Sequence, residues 1–210
     1  GLIFGVYAFN YLWAPLIDRV QIPFLTKRIG HRRAWIVLMQ LAILISLVLW
    51  SVINPTENLT LVITVGLIIA IASATQDITV DALRIEQIGE NEGKSMQAGA
   101  AMAVVGWWTG YKLGGVLSLF SAEFLQNHGY ENYWQLTFLI LGSLIVLMNI
   151  GLMFVNETNN SNRYQKQKEN DKLISNKFNK LNLLTKTFTW IGGTVSGPIV
   201  SFFKKNGFSI

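Results

Sequence analysis

The sequence predicts an all-α integral membrane protein: a bundle of five spanning helices, a polar linker, and a C-terminal segment lying at the membrane surface. Three observations carry this. Of 210 residues, 51% are hydrophobic and only 14% are charged, and the mean hydropathy is positive at +0.38, which is membrane composition rather than that of a soluble core. Apolar runs recur at the length of a membrane span. Lysine and arginine are confined to alternate loops.

The apolar runs cover residues 1–17, 34–53, 59–74 extended by the polar stretch that follows, 98–120 and 133–155. Each supplies about the 17 to 25 residues needed to cross ~30 Å of hydrocarbon. None carries the charged face of a long surface helix. The first run is too aromatic, and too poor in small residues before its charged loop, to be a signal peptide. Because the chain opens inside this run, at Gly1, it is expected to be cut from something longer.

Of the seventeen Lys and Arg, five lie in 18–33, two in 84–94 and nine after residue 155, whereas 54–58 and 123–132 hold none. The positive-inside bias therefore places the first set, the linker and the C-terminus in the cytoplasm. This distribution accounts for the net charge of +5 through topology, so no nucleic-acid partner is expected. The domain plan is a bundle over 1–155, a polar Asn- and Lys-rich linker over 156–180, and an amphipathic segment over 181–210 that lies at the interface or forms a weak sixth span.

With no cysteine, thiol nucleophiles and Cys-ligated metals are excluded. His31 and His128 stand far apart in expected loops, and no metal, cofactor or catalytic residue is expected. Trp13, Trp35, Trp50 and Trp134 stand near span ends, where an aromatic belt explains them.

The third run ends in SATQDITVDALRIE at 73–86. On a helix, Ser73, Asp77, Asp81 and Arg84 share one face, and charges there need partners or a pathway to line. Counting from residue 59, Asp77 lies about 27 Å down, near the cytoplasmic rim, whereas Lys112, counted from an outer end near Ser121, lies about 13 Å deep, so the two are expected not to meet. Asp77 and Asp81, with Arg84, read as a gate that pairs with Arg19, Arg28, Arg32 or Arg33 in one conformation and releases them in another. Asp77 is also the candidate carrier of a coupling proton. The bland alternative is a solvated helix end.

Gly106, Gly110 and Gly114 form a small-residue stripe on which a neighbouring helix can pack. Such packing would turn Lys112 and Trp108 inward, the first to bind a carboxylate and the second to stack on a ligand ring. Alternatively Lys112 snorkels outward and Trp108 sits in the lipid interface. Tyr7 and Tyr11, with Asn10, share a face of the first run and either line the same cavity or belong to the core.

APLIDR at 14–19, RIGHRR at 28–33, SATQDITVDALRIE at 73–86, GYKLGG at 110–115 and GPIVSFFKKNG at 197–207 together resemble the AmpG-type muropeptide permeases of the major facilitator superfamily. Acetyl-coenzyme A transporters share an element like SATQD. Asp18 and the basic loop after it look like the superfamily's signature between its second and third spans. The resemblance covers essentially the whole chain and implies a partial major-facilitator bundle, spans two to six, with the first span and second half missing. It implies proton-driven import of anhydro-muropeptides across the bacterial inner membrane for cell-wall recycling, with no enzyme activity. The partners would be lipid, substrate, protons and a second helical half. Gln76, Asp77 and Lys112 are the positions it marks; Lys112 stands where the family pattern often has arginine, keeping the charge but losing bidentate carboxylate recognition. An inactive remnant or membrane scaffold is the alternative from another class, and a carrier for acetyl-coenzyme A a third.

Overall fold

The computed structural model describes residues 2–53, 57–88, 93–155, 190, 192–197 and 200. The described residues are helical, with no strand. The helices are α1 (Leu2–Phe9), α2 (Ala14–Arg19), α3 (Leu25–Ile29), α4 (His31–Val52), α5 (Leu59–Ile88), α6 (Gly93–Asn127) and α7 (Tyr133–Met153). Among them α4, α5 and α7 are long and apolar enough to cross a membrane. α6 is longer still, at 35 residues or ~52 Å, but its apolar character is diluted by glycines and Lys112.

The first expected span is two short helices joined by a 3-10 turn at Asn10–Leu12. Pro15 stands in the first turn of α2, where its missing N–H costs nothing. Continuing α1 through it would leave the Tyr11 carbonyl without a donor and in collision with the proline ring.

α4 packs against α5 and α7, α1 packs on α5, and α6 packs on α7 and α5. Small side chains permit the close approach: Ala34 of α4 and Ala70, Ala72 and Ala74 of α5 are all buried. Indole N–H groups add specific links. Trp13 donates to Thr75 Oγ1 at 3.1 Å, Trp35 to the Val20 carbonyl at 2.9 Å, and Trp50 to the Val62 carbonyl at 3.2 Å. These three tryptophans tie segments together as well as standing near span ends. Large apolar side chains such as Val116, Phe120 and Met148 are exposed, which suits acyl chains or a partner rather than water.

His31 is the first residue of α4, not part of a loop, and is buried with its Nε2 2.9 Å from the Ile17 carbonyl. The turn that brings it there depends on Gly30, at φ 94° and ψ 165°, a region that admits little besides glycine. Gly30→Ala is expected to cost about 1–3 kcal/mol, read as a lowered midpoint of thermal unfolding in detergent. Gly93→Ala, whose added carbon would meet nothing within 4 Å, is expected to leave that midpoint unchanged.

The linker 156–180 lies outside the described residues, as does most of 181–210. Within the latter, residues 192–197 are helical, and the buried Thr194 accepts a hydrogen bond from Arg19 Nη1 at 2.8 Å.

Candidate functional site

Three helices meet at one guanidinium. Arg32, in the first turn of α4, reaches Asp18 of α2 through Nη1 at 2.5 Å. It also holds Glu86 Oε1 of α5 through Nε at 3.1 Å and Nη2 at 2.8 Å. The Arg32 side chain is 4% exposed and that of Glu86 10%, whereas Asp18 is 40% exposed. This clamp ties the ends of α2 and α4 that carry the basic loop to the C-terminal end of α5. Arg84 makes a second link: its Nη2 lies 3.1 Å from Asp81 and its Nη1 donates to the Gly99 carbonyl of α6 at 3.2 Å. Gly99 matters for this approach, since a Cβ there would stand 2.6 Å from Ile88 Cδ1 and 3.5 Å from Arg84 Cδ.

Two clefts flank α5. One, of about 560 Å³, is lined by Asn10, Tyr11, Asp18, Arg32, Asp77, Asp81 and Glu86 among others. The other, of about 590 Å³, lies between α5 and α6 and is lined by Asp77, Asp81, Arg84, Ala103, Gly106 and Trp107 among others. Asp77 and Asp81 belong to both, so α5 forms a carboxylate wall with space on either side. Their spacing explains this: Asp77 and Asp81 stand about 40° apart where the two clefts adjoin, with Arg84 beside them toward α6 and Glu86, about 180° from Asp77, at the far edge of the first cleft. Asp81 has Arg84 as its cation. Among the described residues Asp77 has neither an ion pair nor a hydrogen bond.

The sequence-derived candidates divide. Tyr11, Asp18, Arg32, Asp77, Asp81 and Arg84 line these clefts. Tyr7 instead donates to Ser73 Oγ at 2.7 Å, joining α1 to α5. Gln76 is half-buried and outside both linings. Arg33 lies elsewhere, at the mouth of a groove between α4 and α7, and Arg19 engages Thr194. The Asp18 and Glu86 carboxylates, not Asp77 or Asp81, take the loop arginine, so the gate pairing differs from the expected one.

Lys112 and Trp108 also depart from expectation. Lys112 is exposed and lines neither cleft; its Nζ sits 6.0 Å from the Trp108 ring centroid. The cleft ring is Trp107, and five residues of helix turn Lys112 about 140° away from it. The inward turn presumed a helix packed on the glycine stripe. Among the described residues, a Cβ at Gly106, Gly110 or Gly114 would meet nothing within 4 Å. The stripe is therefore open, and the clefts beside α5 are rich in carboxylates instead of cationic.

A helical bundle with apolar spans and a wall of carboxylates between two open clefts has the make-up of a polytopic membrane protein of the transporter class. Comparison with known proteins agrees: the chain matches the Major Facilitator Superfamily over residues 1–208. It belongs to that superfamily, a family of transporters and not of enzymes. A protein named putative transporter AmpG 4 from Rickettsia conorii is 31% identical over 199 residues, covering 95% of this chain and 42% of that protein. The anhydromuropeptide permease of Escherichia coli K12 is 31% identical over 149 residues, or 70% of this chain and 28% of that one. The chain thus spans less than half the length of these relatives. No solved structure matches it.

Proposed function

We propose that the chain forms the α1–α7 half of a proton-driven carrier that imports anhydro-muropeptides across the bacterial inner membrane for cell-wall recycling. In this reading its basic loops, linker and C-terminus face the cytoplasm, and it works against a second helical half. The single observation that carries the proposal is the position of Asp77, a carboxylate with no cation among the described residues that faces space on both sides of α5. Intramembrane carboxylates with such access mark proton or ion pathways. The Arg32 clamp is the device that holds one end of the pathway shut; parting Asp18 or Glu86 from it would let α2 and α5 separate.

The carboxylate wall does not suit an acidic substrate directly. The substrate's carboxylates are assigned to Lys112, with Trp108 beside it as a stacking surface for sugar, on the other face of α6. The open glycine stripe is assigned to the second half. The chain would be expressed in cells lacking a muropeptide permease, together with the C-terminal half of the Escherichia coli permease. Labelled anhydro-muropeptide is expected to accumulate and to leak out when a protonophore collapses the gradient. Absence of accumulation with both halves in the membrane contradicts the proposal.

A further inference from the structure

A third cavity has no part in the clefts beside α5. It is a groove of about 400 Å³ between α4 and α7, lined by Arg33, Val37, Leu41, Leu44, Val146 and Asn149 among others. Its polar groups gather at one end. Arg33 is the third residue of α4, and Asn149 lies four residues before the end of α7, so both stand within about a turn of the same membrane face. Beyond them the walls are aliphatic, and Leu41 and Val146 are about half exposed.

Length and charge identify the occupant. From Arg33 to Leu44 the groove runs about 16 Å along α4, against ~15 Å for one leaflet of a ~30 Å hydrocarbon layer. An acyl chain lying in it would therefore bring its own headgroup to the level of Arg33. There the protein offers the Arg33 guanidinium, complementary to a phosphodiester, and α3, whose Ile29 also lines the groove, adds the positive charge of Lys27 and Arg28 within a turn of it. Asn149 adds a hydrogen-bonding demand. Its Nδ2 donates to the Ile145 carbonyl at 3.1 Å, but among the described residues its buried Oδ1 has no donor, and a buried acceptor left unmade is costly. A headgroup hydroxyl supplies that donor.

We propose that this groove is a binding site for one anionic phospholipid of the leaflet facing the basic loop, its acyl chain between α4 and α7, its phosphate on Arg33 and a headgroup hydroxyl toward Asn149. Such a lipid completes the α4–α7 contact on the side away from the carboxylate wall.

The test is native mass spectrometry of the 210-residue chain, extracted from membranes and exchanged into detergent with equal amounts of phosphatidylglycerol and phosphatidylcholine. One phosphatidylglycerol is expected to be retained in preference. Arg33→Gln should reduce that preference about fivefold, the equivalent of ~1 kcal/mol for one cation, and Arg33→Lys should keep most of it. Leu41→Trp, which fills the groove from a lipid-facing position, should lower retention of both lipids while leaving the helix content intact by circular dichroism. Equal retention of the two lipids, unchanged preference in Arg33→Gln, or equal displacement by glycerol phosphate overturns the proposal. So does a wild-type chain that retains no lipid and whose dimer is broken by Leu41→Trp, which would make a second copy the occupant.

Discussion

Arg32→Gln is expected to destabilise the folded chain by about 3 kcal/mol, the lower end of the ~3–5 kcal/mol lost when one partner of a buried ion pair is removed. The lower end applies because Asp18 is 40% exposed and water screens it, whereas Glu86, 10% exposed, is left as a nearly buried charge. The same burial orders the partner variants. Glu86→Gln should cost more than Asp18→Asn, and the double variant Arg32→Gln with Glu86→Gln should recover much of the loss, since two amides leave no buried charge unanswered between α4 and α5. Arg32→Lys should fall between, because an ammonium cannot reproduce the two bonds that Nε and Nη2 make to one carboxylate oxygen. Thermal unfolding in detergent reads all five variants. A double variant no more stable than Arg32→Gln alone would mean that the clamp contributes through packing and not through charge.

Asp77→Asn is expected to cut uptake driven by the proton gradient while leaving the fold intact. The change keeps the shape of the side chain and removes its ability to carry a proton between the two clefts. No ion pair is broken, because Asp77 has none among the described residues, so thermal stability should hardly move. Gradient-driven accumulation in the two-half system should fall by about 5- to 150-fold, the span of a 1–3 kcal/mol coupling, whereas exchange of substrate down its own gradient should survive. Asp81→Asn should do less to coupling, since Arg84 already answers that carboxylate at 3.1 Å. Undiminished accumulation with Asp77→Asn would remove this residue from the energetics.

What could be read ahead of the structure was what depends on spacing along one helix. The i, i+4 relation of Asp77 and Asp81 placed both on one face, and they do form a shared wall. The basic loop and Asp18 were legible as a charged cluster through their likeness to the superfamily. What could not be read was which carboxylate the loop arginine takes. Glu86 lies nine residues, or about 180° of helix, from Asp77, so a single-face reading passes over it. Only the packing of α4 on α5 selects it.

The misplacement of Lys112 has a related cause. The glycine stripe is a property of α6 alone, but which way α6 turns is set by the surfaces that meet it, and these are α7 and, at Gly99, the Arg84 and Ile88 side chains of α5. By contrast, the break in the first span has a local signal in Pro15, which the apolar length of the run hides. The Arg19 to Thr194 hydrogen bond joins residues so far apart in the chain that no local pattern foreshadows it.

The absence of cysteine opens a direct route to the central claim, that the α5 carboxylate wall faces water inside the bundle. Single substitutions Asp77→Cys, Tyr11→Cys and Val146→Cys would each be treated with a membrane-impermeant maleimide in inside-out vesicles. Cysteine at 77 and at 11 should label and cysteine at 146, among acyl chains, should not. If position 77 resists the reagent while 146 reacts, α5 turns its carboxylates away from any aqueous passage, and the carrier reading of this chain is contradicted.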